Sequence, residues 1–152
     1  MDAATLAAWL LALPLYNATP RPPEFAQAIA IVALRAAPDA PLELAATLDV
    51  IAAHESRYRP TASGDHGRSA GAYQTPRART PRDVAGQTSL AARILADAAR
   101  ACPAHPLYAY ASGRCAPSYA ARDMERAVAA SLAAAERVGH QLAEADGLRL
   151  EP

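Results

Sequence analysis

Residues 44–74 read LAATLDVIAAHESRYRPTASGDHGRSAGAYQ, a helical pattern that runs directly into a loop rich in glycine. At about 100° per residue, Leu44, Leu48, Ile51 and Glu55 follow one line along the helix. A carboxyl group therefore stands where the next core residue is expected. Burial disfavours the charged form of a carboxyl group, which is the condition under which a glutamate donates a proton near neutral pH.

A structural interpretation of this glutamate is also open. Glu55 would then lie in solvent at a frayed helix end, or pair with Arg57 or Arg59. The adjacent His54 points about 100° away from Glu55 around the helix. We therefore expect His54 to be a solvated neighbour and not a proton partner.

The loop after the helix carries three spaced glycines, Gly64, Gly67 and Gly71. Such glycines suit a backbone that turns tightly and approaches a ligand closely. Asp65 adds a second carboxylate, and two carboxylates in different environments are the minimal requirement for hydrolysis of a glycosidic bond. The alternative is that residues 64–67 form an ordinary turn, which Asp and Gly both favour.

The composition predicts an all-α fold class within a single domain spanning residues 1–152. The chain has 152 residues, of which 52% are hydrophobic and 20% are charged, and alanine makes up more than a quarter. This excludes a disordered protein, and it favours helices because residues with strand propensity are sparse. A net charge of zero excludes a strongly basic nucleic-acid coat protein.

Hydrophobic spacing and proline positions predict five to six helices. Two of them fall in residues 1–40, and the second opens at Pro22 and Pro23. The others are expected near residues 42–58, 83–101, 107–113 and 119–145, with an irregular loop and a small hairpin at 59–81. The last helix aligns apolar residues as a buried stripe, namely Met124, Val128, Leu132, Ala135 and Leu142.

Several of these residues together resemble the lytic transglycosylase and goose-type lysozyme group of the lysozyme superfamily. Glu55-Ser56 matches the Glu-Ser motif of that group. The run from Gly71 to Gln74 matches the glycine and glutamine of its Gly-Leu-Met-Gln motif, with Ala-Tyr in the middle. The segment around Tyr110 resembles its Ala-Tyr-Asn motif, although Ala111 stands where Asn is usual. The resemblance covers roughly residues 42–137, which it makes the catalytic core.

The resemblance implies cleavage of the β-1,4 bond between N-acetylmuramic acid and N-acetylglucosamine in peptidoglycan. Glu55 would be the general acid, and Asp65 would orient a water molecule if the enzyme is a hydrolase. Ser56, Gly71 and Gln74 would bind substrate. Tyr110 would position Glu55 by a hydrogen bond. Tyr73, like Tyr58, would stack on a sugar or simply pack.

The sequence indicates neither a cofactor nor a metal site. His54, His66, His105 and His140 form no known ligand motif, and neither cysteine belongs to a C-x-x-C pair. Cys102, His105 and Cys115 form a weak candidate set of metal ligands. The two cysteines are compatible with a disulfide or with two buried thiols.

The predicted partners are peptidoglycan strands, with no nucleic acid and no transmembrane segment. The apolar stretch 6–15 lacks a basic start and is too short to span a bilayer, so we expect a packed helix. Action on the cell wall would then require cell lysis or assembly into a larger particle such as a phage. Arginines between residues 57 and 82 would attract an anionic polymer or would simply form a solvated face. The alternatives are a virion component that keeps the fold without turnover, and a nucleic-acid binder.

Overall fold

The computed structural model describes the backbone of residues 1–147 and the side chains of residues 1–137. This part of the chain is mainly helical, as the composition predicts, with six α-helices and one small sheet. The helices are α1 (Ala3–Ala12), α2 (Pro23–Ala36), α3 (Pro41–Ser56), α4 (Val84–Ala101), α5 (Pro106–Ser112) and α6 (Tyr119–Gly147).

Local sequence signals fix most helix ends. Asp2 caps α1 by accepting a hydrogen bond from the Thr5 amide at 2.8 Å, and Asp83 caps α4 through the Gly86 amide at 2.7 Å. Three other helices start at a proline. Proline suits the first turn because an N–H group there would have no partner within the helix. The first helix ends at Ala12 because Leu13 precedes Pro14 and is extended.

The central helix α3 packs against α1, α2, α4 and α6. Leu48 and Ile51 of this helix are fully buried, in the same cluster as Leu6 and Phe25 from the N-terminal helices. Residues 1–40 therefore share one core with the rest of the described chain. Within the stripe predicted for α6, Met124 and Ala135 are buried, whereas the side chain of Leu142 lies outside the described part.

The glycine-rich loop contains three short antiparallel strands in place of the expected single hairpin. They are β1 (Ser63–Gly64), β2 (Ser69–Ala70) and β3 (Thr75–Pro76), with β2 in the middle. Ser63 pairs with Ala70 and Ala70 with Thr75. This small sheet holds the loop between α3 and α4 in a defined shape.

Candidate active site

Glu55 lies in the last turn of α3, and 23% of its side-chain surface is exposed. The helix was predicted to continue to Tyr58, but it ends at Ser56. The chain reverses there because Arg57 and Tyr58 adopt left-handed backbone angles, with φ of 56° and 57°. Ser56 is buried, and its hydroxyl accepts a hydrogen bond from the Arg59 amide at 2.9 Å. The side chain of Ser56 thus closes the helix end, and its role in binding substrate stays a prediction.

The carboxylate of Glu55 is not paired with either neighbouring arginine. Arg59 donates from Nε to the Ser56 carbonyl at 2.8 Å. Among the described residues, the charged group that comes within 4.0 Å of Glu55 is His54, whose Nδ1 lies 3.4 Å from Oε1. Glu55 is therefore neither fully solvated nor neutralised by an arginine.

The prediction that His54 is a solvated bystander is wrong. Its Nδ1 atom is buried and has no hydrogen-bond partner among the described residues. The ring faces Tyr16, with the two ring centroids 6.1 Å apart. The Glu55 carboxylate raises the pKa of His54 above its usual value, against the opposing effect of burial, and Asp123 adds to the increase.

Tyr16 and Asp123 also lie beside His54. The Tyr16 hydroxyl donates a hydrogen bond to Asp123 of α6. Burial and this hydrogen bond raise the pKa of Tyr16 to about 12, and the same hydrogen bond lowers the pKa of Asp123. Neither residue belongs to a sequence motif, so only the tertiary structure brings them beside His54.

Gly71 lies where the loop passes against Gln87 of α4. Its φ is 79°, and a Cβ atom there would lie 2.6 Å from Oε1 of Gln87. That oxygen accepts the Ala72 amide at 2.8 Å, and Nε2 of Gln87 donates to the carbonyls of Pro60 and Pro81 at 3.0 Å each. Gln87 thus ties both ends and the middle of the loop to α4. The resemblance did not identify Gln87. What the structure shows of Gly71 is a positive φ and a close approach to Gln87, and its role in binding substrate stays a prediction.

Gln74 braces the loop from within. Its Nε2 donates to the Gly71 carbonyl at 2.8 Å. Its Oε1 lies against Gly64, where an added Cβ would approach it to 2.1 Å. Gln74 therefore supports the shape of the loop, and its role in holding a sugar stays a prediction.

The tyrosines predicted at the site are mainly internal. The side chain of Tyr73 is 1% exposed and that of Tyr58 is 3% exposed, so neither stacks on a sugar. The Tyr73 hydroxyl lies 3.1 Å from the Thr88 hydroxyl. Tyr110 donates to the Tyr73 carbonyl at 3.0 Å and not to Glu55 as expected. Tyr110 therefore positions the loop rather than the glutamate.

Glu55 nevertheless acts electrostatically on Tyr110. Burial raises the pKa of Tyr110 well above its usual value, and the negative charge of Glu55 raises it further. The hydroxyl of Tyr110 thus lies within electrostatic reach of the Glu55 carboxylate while it is bonded to the loop. This places the end of α3, the glycine-rich loop and α5 in one neighbourhood.

Asp65 lies at the exposed tip of the glycine-rich loop. Its φ is 49°, and its carboxylate accepts a hydrogen bond from the Ser69 hydroxyl. This geometry is that of a turn residue. Its role in orienting water stays a prediction.

The arginines between residues 57 and 82 are all exposed, namely Arg57, Arg59, Arg68, Arg77, Arg79 and Arg82. Arg77 also supports the loop, because Nε donates to the Gly67 carbonyl and Nη2 to the Ser63 hydroxyl, each at 2.6 Å. A positive surface of this kind attracts anionic polymers.

Cys102 and Cys115 form a disulfide, which joins the end of α4 to the segment between α5 and α6. This excludes them as thiolate metal ligands. Nδ1 of His105 instead lies 3.0 Å from Oε1 of Glu125. Within residues 1–137, no three His, Cys, Asp or Glu side chains gather into a group that would hold a metal ion. The bridge encloses α5 and therefore Tyr110.

The arrangement supplies one half-buried carboxyl group at the end of a central helix, beside a braced loop and a positive surface. Such a group can exchange a proton with a bound ligand. No helix within residues 1–147 has the length and apolar character needed to cross a membrane. Comparison with protein-family models, with curated proteins and with solved structures finds no match.

Proposed function

We propose that this protein cleaves the glycan strands of peptidoglycan and belongs to the lytic transglycosylase and goose-type lysozyme group. The observation that carries the proposal is the placement of Glu55. It ends the central helix, is half-buried, and lacks an arginine partner among the described residues. The neighbouring loop is fixed by Gln87 and Tyr110, so its backbone would present a rigid surface to a sugar chain.

In this mechanism Glu55 is the general acid. Its proton passes to the glycosidic oxygen between N-acetylmuramic acid and N-acetylglucosamine while the bond from that oxygen to the anomeric carbon breaks. The exposed arginines of the loop region would attract the carboxylates of the substrate.

After this first step, either of two nucleophiles can attack the anomeric carbon. In a hydrolase, a water molecule attacks, and Asp65 is the loop carboxylate proposed to orient it. In a transglycosylase, the hydroxymethyl group of the same sugar attacks after giving its proton to Glu55, and the product is an anhydro sugar. The products therefore report which nucleophile is used.

A second candidate is a component of a virion or other assembly that keeps the fold without turnover. Two observations favour it. Ala111 stands where the related enzymes usually have an asparagine. In addition, the side chains of Gln74 and Tyr110 donate hydrogen bonds to backbone carbonyls within the protein. These changes affect contacts to the sugar, whereas the acid itself is retained.

The test is incubation of the purified protein with peptidoglycan sacculi, followed by mass spectrometry of the released muropeptides. Hydrated ends indicate a lysozyme and anhydro ends indicate a transglycosylase. Glu55→Gln is expected to lower the rate by at least about 10²-fold without altering the fold. Glu125→Gln is the matched control, because Glu125 is also a carboxylate beside a histidine. Absence of products from the wild type would favour the assembly component, and wild-type rates in Glu55→Gln would refute the assignment of the acid.

A further inference from the structure

His54 and Glu55 are consecutive residues whose side chains converge, although helical geometry separates them by about 100°. The Nδ1 atom of His54 lies 3.4 Å from Oε1 of Glu55. Nδ1 is buried and unpartnered within the described chain. This separation is that of an ion pair when the imidazole is protonated. The buried nitrogen has its best available partner in the glutamate.

Other elements place aromatic and charged groups around the imidazole ring and Glu55. From the segment before α2, Tyr16 packs on the ring at 6.1 Å. From α6, Asp123 faces it and raises the pKa of His54. Asp123 also accepts from Tyr16 and lies 3.3 Å from Arg126, so its own charge is partly shared. On the α5 side, Tyr110 faces Glu55 and, with its pKa raised, stays uncharged near neutral pH.

We propose that His54 is a positioning residue for Glu55 and that its imidazolium holds the carboxylate left after Glu55 has given up its proton. In that step the O–H bond of Glu55 breaks as an O–H bond forms at the glycosidic oxygen. The Nδ1–H group of His54 then donates to Oε1 and fixes the carboxylate rotamer. No bond to His54 itself forms or breaks. This inference rests on the proposed function and deepens it.

The imidazolium has a predictable effect on the pH profile. The pKa of His54 is raised by the Glu55 carboxylate, so the imidazolium form persists to a higher pH and is lost as the pH rises through that pKa. In His54→Gln, the part of the alkaline fall in turnover that follows loss of the imidazolium is therefore expected to disappear. The maximal rate is expected to fall as well, because the carboxylate product of proton transfer loses its partner. If His54 were merely structural, its replacement would lower the rate at every pH and would leave the shape of the pH profile unchanged.

The pair can be tested without any activity. In an NMR titration of the histidine side chains, the pKa of His54 is expected to be raised in the wild type and to fall toward its usual value in Glu55→Gln. Asp123→Asn is expected to produce a smaller decrease. His105, which pairs with Glu125, is the internal control and should titrate identically in Glu55→Gln. The corresponding control for turnover is His105→Gln, which should leave the pH profile unchanged.

The outcomes distinguish the His54–Glu55 pairing, the positioning role of His54 and the proposed function. An identical His54 titration in wild type and Glu55→Gln overturns the pairing. If the pKa of His54 falls in Glu55→Gln as expected, but the pH profile of an active His54→Gln enzyme is unchanged, the positioning role alone is overturned. A wild type that cleaves no sacculi overturns the proposed function, and the catalytic role of His54 with it, whatever the titration shows.

Discussion

Arg21 forms two hydrogen bonds with Asp49 inside the protein, from Nε to Oδ1 at 2.5 Å and from Nη2 to Oδ2 at 2.6 Å. Both side chains are almost completely buried. Arg21 also donates to the Leu10 carbonyl, and the Tyr58 hydroxyl donates to Oδ1 of Asp49 at 2.8 Å. One ion pair therefore joins the N-terminal segment, the central helix and the chain that leaves Glu55.

Replacement of Arg21 by alanine is expected to lower the free energy of unfolding by about 3–5 kcal/mol. The reason is that it leaves the Asp49 carboxylate buried without its partner. Urea denaturation followed by circular dichroism measures this loss. Arg100→Ala is the matched control, because Arg100 pairs with Asp97 on the surface, where both side chains are more than two-thirds exposed. It should change stability by less than about 1 kcal/mol. Equal effects of the two substitutions would contradict the structural role of the buried pair.

Gln87→Leu is expected to destabilise the protein by about 2–4 kcal/mol and to loosen the loop between α3 and α4. The substitution leaves the Ala72 amide and the Pro60 and Pro81 carbonyls without partners in a buried place. Thermal unfolding gives the stability, and amide hydrogen exchange of residues 60–81 gives the loop mobility. Ser89→Ala, on the exposed face of the same helix, should alter neither. Unchanged exchange in Gln87→Leu would show that the loop is held by other contacts.

Asp65→Asn distinguishes the two nucleophiles. If water attacks with the help of Asp65, the substitution should lower turnover by about 10²–10⁴-fold. If Asp65 is only a turn residue, activity should be preserved, because asparagine also suits turns and can still accept from Ser69. Turnover and melting temperature are measured on the same sample. Full activity together with a lowered melting temperature would make Asp65 structural and would favour a transglycosylase.

Removal of the disulfide by Cys102→Ser with Cys115→Ser is expected to lower the free energy of unfolding by about 2–4 kcal/mol. The bridged residues are 13 positions apart, and the loop that they close carries α5. Reductant should lower the stability of the wild type to that of the double variant and leave the double variant unchanged. Alkylation with mass spectrometry tests the bridge directly. Two free thiols in oxidised protein would contradict it.

The elements of the fold were predictable because their signals are local. Alanine content, proline at the first turn of three helices and aspartate at two N-caps specify where helices begin, and these are contacts within four residues along the chain. The spaced glycines likewise marked the loop in which the small sheet forms. Glu55 could be singled out because a charged residue interrupts an apolar stripe, which one helix is sufficient to reveal.

The surroundings of Glu55 were not predictable, because they depend on which distant residues meet. The hydrogen bond from Tyr16 to Asp123 spans 107 positions, that from Tyr110 to Tyr73 spans 37, and the Arg21–Asp49 pair spans 28. Tyrosine, glutamine and arginine have no fixed partner in a sequence, since each bonds to whatever polar group the packed chain presents. The sequence by itself therefore determined the helices, the loop and the position of Glu55 at the end of the apolar stripe. The packing of α3 against the N-terminal helices, α4 and α6, and of α5 against α4 and α6, decided that Gln74 and Tyr110 support the loop and that His54 faces Glu55.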